Sequence, residues 1–109
     1  MRKLKFIVDN QIIKQDPDSN FNDLVPGTEG YLRVEFSFSP EWNGFSKSVA
    51  FSSPMGKKYS TEILRDGKSC AVPIEALKRR SFKIQVIGEK SRLKITTNKM
   101  AVSQNGDES

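Results

Sequence analysis

The sequence contains no histidine and a single cysteine, Cys70. The first absence removes histidine-dependent triads, imidazole metal ligands and the usual proton shuttle of neutral pH. The second rules out an intramolecular disulfide, and together they exclude a structural zinc site. Set between Ser69 and Ala71, Cys70 reads as a small strand residue rather than a reactive thiol. The seven glycines are scattered, and no Gly-rich loop of the phosphate-cradling kind is present. Asp16-Pro17-Asp18-Ser19-Asn20 echoes the opening of a calcium loop, but Pro17 and the missing glycine and distal glutamate reduce it to a polar turn. Thirteen acidic residues on a small surface form near pairs by chance, so Glu41, Glu62 and Asp66 carry no signal of acid–base chemistry. The expectation is a chain with no cofactor and no catalytic centre.

Long apolar runs are also missing, so no membrane-spanning helix is expected. The opening Met-Arg-Lys-Leu-Lys-Phe-Ile-Val is interrupted by Asp9 before a signal-peptide core could form, so secretion by that route is not expected.

What is present is short-range alternation. A length of 109 residues suits one domain with one modest core, placed at 1–102, followed by a polar tail at 103–109 that is expected to be disordered. In residues 35–53 lie the only tryptophan, Trp42, and four of the seven phenylalanines, Phe36, Phe38, Phe45 and Phe51. Val34, Phe36 and Phe38 share one strand face, and Val49 and Phe51 share another across a Pro-Glu-Trp-Asn-Gly corner. Similar alternation marks strands at 3–8, 31–39, 46–52 and 57–64. It also marks 81–88, with Phe82, Ile84 and Val86 inward, and 92–97, with Leu93 and Ile95 inward. Shorter return arms are expected at 11–14 and 69–72, and 100–102 continues the last strand after a bend at Asn98. Asp9-Asn10 and Asp66-Gly67 are turn dipeptides, whereas 15–30, rich in Pro, Gly, Asp and Asn, is a long loop. Pro73 opens a short helical turn near 73–79 with Ile74 and Leu77 facing inward. Seven or eight short strands predict an all-β, Greek-key or immunoglobulin-like β-sandwich, with a small β-barrel as the alternative.

The run Phe-Ser-Phe-Ser-Pro-Glu-Trp-Asn-Gly-Phe-Ser-Lys-Ser-Val-Ala-Phe, residues 36–51, resembles the signature "EFxFSxEWDGLxKTAVF". That signature belongs to a β-sandwich domain of tail and baseplate proteins in phages and prophages of Gram-positive bacteria. Residues 63–73 resemble the family's "LxDDGxCxVPxEVL" hairpin, 82–88 its "FxVGVFG" strand and 93–98 its "RITTN" segment. The likeness spans about residues 3–102. Asn43 stands where the family has Asp, Phe45 where it has Leu, and Lys78-Arg79-Arg80 where it has a Gly-containing loop. Larger members carry further segments after this domain, whereas here only a short acidic stretch follows, so the expectation is the module alone. The resemblance implies a non-enzymatic phage protein working by protein–protein contact in the virion or the host cytoplasm. A small tail or baseplate component is the first form. The alternative is a phage-encoded inhibitor that binds a bacterial defence protein, such as a nucleic-acid-binding nuclease, through a basic face. The signature residues Glu41, Trp42, Gly44 and Phe45 read as structural: Trp42 covers one end of the sandwich and Gly44 turns the chain beside it. The competing reading makes Trp42 and Phe45 a binding hot spot.

Charge supplies the other signal. Residues 1–54 carry net −1 and residues 55–109 net +6. Two clusters stand out: Lys78, Arg79, Arg80 with Lys83, and Lys90, Arg92, Lys94. On adjacent strands they would merge into one basic face that attracts an acidic protein or nucleic acid. The opposing reading is a solvated surface or edge protection. Only Tyr59 and Phe82 are at hand as stacking aromatics, so the charges point to a protein partner before nucleic acid. Exposed sandwich edges also make self-association an expectation.

Overall fold

The computed structural model describes residues 2–28 and 30–104. It is an all-β sandwich of two open sheets, so the barrel alternative does not hold. The first sheet contains β1 (Arg2–Asp9), β2 (Ile12–Gln15), β3 (Leu32–Phe38) and β6 (Ser69–Ala71), in the order β2-β1-β3-β6. The second contains β4 (Ser46–Ser52), β5 (Lys58–Ile63), β7 (Ser81–Lys90), β8 (Leu93–Thr96) and β9 (Met100–Ser103). Its order is β5-β4-β7-β8, with β9 pairing the other half of β7. All pairings are antiparallel except β1 with β3, which run parallel in the register Leu4↔Val34, Phe6↔Phe36 and Val8↔Phe38.

Alternation sets the inner faces. Leu4, Phe6 and Val8 from β1, Val34 and Phe36 from β3, Val49 and Phe51 from β4, and Phe82, Ile84 and Val86 from β7 are all buried. Aromatic rings continue this packing along the first sheet. Phe6 meets Phe21 edge-on at 5.2 Å and Phe36 in a stack at 5.4 Å, and Phe38 lies 5.2 Å from Trp42. Such pairs contribute about 0.5–1.5 kcal/mol beyond the area they bury.

The chain crosses between the sheets at three places. A single 3-10 turn, Pro40–Trp42, leads from β3 to β4, the Arg65–Lys68 turn from β5 to β6, and α1 (Ile74–Leu77) from β6 to β7. The sandwich thus has a tryptophan end, where β1 and β7 finish, and a helix end, where β1, β3 and β7 begin. At the helix end, Arg2 donates to the carbonyls of Asn20, Asn22 and Asp23, and Gly27 N donates to Leu77 O at 2.8 Å. These bonds dock the long loop onto the core.

Three expectations need correction. Ile74 is 45% exposed while Ala76 and Leu77 fill the interior; in a helix of four residues, i, i+3 spacing alone does not bring both ends onto the core. Leu93 pairs with Lys90 at the tip of the β7–β8 hairpin, past the last row of the core, and is 61% exposed although it lies on the inner side. Finally, the polar tail does not start at 103. Ser103 pairs with Ser81, and Gln104 is buried with its amide nitrogen donating to Leu77 O and Arg79 O. The remainder of the expected tail, 105–109, lies outside the described residues.

Candidate partner-binding surface

Of the signature residues, Trp42 and Phe45 turn inward. Trp42 is fully buried, and its indole Nε1 donates to Asn10 O at 2.7 Å. Ser39 Oγ accepts from Asn10 N at 2.9 Å, so the corner is tied twice to the β1–β2 turn. Gly44 follows with φ +82°, in the left-handed region that favours glycine. Phe45 is half-buried with its ring 6.4 Å from Trp42, and Glu41 lies exposed on the 3-10 turn. A buried indole cannot serve as a surface anchor, so the hot-spot reading of Trp42 does not hold. Gly88 was not singled out from the sequence, yet a Cβ there would meet Trp42 Cζ3 at 2.8 Å. The bare backbone of β7 is the floor on which the indole rests.

The two basic clusters do not merge. Lys78, Arg79 and Arg80 precede β7, whereas Lys90 ends it and Arg92 and Lys94 follow. Ten residues of strand at about 3.3 Å each put roughly 30 Å between them. Between the clusters the outer face of β7 presents Gln85, Ile87 and Glu89. At the tryptophan end, Lys90 Nζ sits 5.7 Å from the Phe45 ring centroid, and Lys94 lies opposite Glu89 in the strand register.

The helix end gathers cations the sequence left apart. Lys83 and Lys58 both pair with Ser52, from opposite sides of β4, so they share the outer face. An open groove of about 430 Å³ runs between the 53–57 turn and the start of β7. Pro54, Met55 and Tyr59 supply its apolar surface, and Lys57, Arg79 and Arg80 its charge. Tyr59 also lines an adjoining hollow of about 280 Å³ that includes Lys58 and Lys99. Among the described residues, no Asp or Glu lines either space. Met55 is 94% exposed at the groove's edge. Gln104 holds this end in place, since its side chain binds the carbonyls of Leu77 and Arg79 and its backbone N donates to Arg80 O.

Sequence reasoning reached Arg79, Arg80, Lys83 and Tyr59, but missed Met55, Lys57, Lys58 and Lys99. The Lys57-Lys58 pair after a Pro-Met-Gly turn was the available signal. Only the β4–β5 register, bulged between Phe51 and Ser52, reveals that it faces Lys83.

Elsewhere the chemistry is quiet. Burial pushes the Cys70 thiol up to about 12, with the negative charge of Glu62 adding to the effect. Among the described residues, no cluster of three or more His, Cys, Asp or Glu is placed to hold a metal ion. The Asp66 carboxyl is held well below its ordinary value, first by the Ser69 hydroxyl and then by the amides of Lys68 and Ser69. Comparison with family profiles, curated proteins and solved structures gives no match for this chain.

Proposed function

We propose that this chain is a non-enzymatic phage component of the tail or baseplate type that works by protein–protein contact. The observation that supports it most is the division of labour in the Glu41–Phe45 corner. Of the corner residues that carry the resemblance, Trp42 is spent wholly on the core and Phe45 in part, so the corner supports a scaffold and leaves contact with a partner to other surfaces. Exposed apolar side chains at the ends and edges, Met55, Leu93, Ile63 and Val25 among them, suit contact with other proteins. Mass spectrometry of purified particles of the encoding phage tests this. The chain should be present at a stoichiometry matching a structural part, and its absence from particles would overturn the proposal. One observation favours a second reading, an inhibitor of a host defence protein. The cationic groove at the helix end, which no Asp or Glu of the described residues lines, suits an acidic surface of a host target. Affinity capture from infected cells separates the two, by recovering virion proteins or a host factor.

A further inference from the structure

We propose that the groove between the 53–57 turn and Arg79–Ser81 takes an acidic peptide segment carrying one apolar anchor side chain. The inference rests on the contact-module reading and names the partner chemistry of its helix end.

Charge complementarity comes first. The cations Lys57 and Arg79 line the groove, Lys58 and Lys99 line the next hollow, and no carboxylate of the described residues lines either. A concave site walled by one sign of charge concentrates its field and draws in the opposite sign. The groove surface itself is apolar. Met55 stands 94% exposed over it, Pro54 lies beside Met55, and Tyr59 forms part of the floor. A thioether on three rotatable bonds adapts to a partner's side chain and suits contact with an aromatic or aliphatic anchor. The combination matches a peptide whose carboxylates meet the rim and whose apolar residue enters between Met55 and Tyr59.

Nucleic acid fits less well. Non-specific single-strand binding uses a continuous basic track with several stacking aromatics. Here the cations stop at Lys83, with Gln85, Ile87 and Glu89 intervening before the Lys90–Lys94 group, and among the described residues Tyr59 is the one aromatic lining the groove. The 53–57 turn is also braced, since Ser53 Oγ accepts from the amides of Met55 and Lys57 and Ser53 N donates to Lys57 O at 2.8 Å. A rigid wall lowers the ordering cost of binding.

The test uses the full chain, isotope-labelled for NMR, and four probes. One is a pool of short Asp/Glu-rich peptides with a central Phe or Leu. The second is the same pool with Asn and Gln replacing the acids, the third an acidic pool without the anchor, and the fourth an oligothymidylate. The anchored acidic pool should shift the amides of residues 53–59 and 79–83. Its affinity should fall about tenfold or more in Lys57→Glu/Arg79→Glu, and stay unchanged in Arg92→Glu/Lys94→Glu at the far end. In Met55→Ser the anchored and anchor-free pools should bind alike. Trp42 fluorescence verifies that each variant is folded. Shifts centred on 90–94, equal binding of the neutral pool, tighter binding of the oligothymidylate at the groove, or no shift at 53–59 would each overturn the proposal. Failure here leaves a particle-borne contact module with another binding face, whereas absence of the chain from particles removes the structural role without touching the groove.

Discussion

At the scale of single residues, the tightest constraint falls on Gly88. An added Cβ would stand 2.8 Å from Trp42 Cζ3 and 3.0 Å from Ile95 Cγ2. Both neighbours are fixed, Trp42 by its bond to Asn10 O and Ile95 by the β7–β8 register, so neither yields cheaply. Gly88→Ala should lose about 1–3 kcal/mol through overpacking, read as a lower denaturation midpoint together with a shift in Trp42 emission. An unchanged midpoint would mean that the indole does not lie against β7. Asp66 is constrained by charge rather than space. Its folded carboxyl is held low, so it contributes stability at pH values above the ordinary carboxylate pKa, and that contribution fades as pH falls toward the folded value. Asp66→Asn should therefore unfold at lower temperature than the parent at pH 7, with the gap narrowing once the pH drops below about 4. The group is exposed and screened by solvent, so the gap is small. A gap that widens in acid would contradict the Ser69 and amide bonds assigned to it.

At the scale of elements, the β8–β9 edge explains how the sheets are held in register. Between the two strands, Thr97 Oγ1 accepts from Val86 N at 3.0 Å, while Asn98 Oδ1 accepts from Ile13 N at 2.9 Å. Gln11 completes the link by donating to Thr96 O from its side chain and accepting from Asn98 N on its backbone. One edge of the second sheet is thus stitched to β2, an edge of the first. Asn98→Ala would leave the Ile13 amide without its acceptor, at a cost of about 1–2 kcal/mol. Hydrogen exchange should quicken at Ile13 and leave the β1–β3 amides protected; unchanged exchange at Ile13 would disprove the stitch. Elements of this kind mark the limit of what the sequence discloses. Period-two alternation located β1, β3, β4 and β7 and chose their inner faces, because burial acts residue by residue. The bend at Asn98, before the 100–102 strand, was also placed from the sequence. Partners were not: alternation assigns a face but no neighbour, so the parallel β1–β3 pair could not be read. Nor could it show where a strand outruns the core, which is why Leu93 points inward and remains wet. Gln104 was read as tail because its polarity hid its use, satisfying two helix-end carbonyls.

At the scale of the molecule, the same limit applied to the candidate site. Two runs of like charge were visible in the sequence, but their separation along β7 and the convergence of Lys57, Lys58 and Lys83 at the helix end depend on register. What unites the two ends is one core, with Trp42 near one and Val72, Ala76 and Leu77 near the other. Each sheet exposes its apolar face if the other leaves, so neither has a core of its own to retain. Unfolding should accordingly be a single transition. Two built-in probes test this from different regions. Trp42 reports the corner by fluorescence. Cys70 reports β6, where burial keeps the thiol protonated and enclosed until the chain opens. In increasing denaturant at about pH 8, close to the ordinary thiol pKa, alkylation of Cys70 should rise with the same midpoint as the Trp42 signal. Labelling of Cys70 at denaturant concentrations where Trp42 remains native would show β6 and the β5–β6 crossing opening independently. The sandwich would then consist of separable parts, and the helix-end groove, with walls from the β4–β5 turn and β7, would need stability measurements of its own.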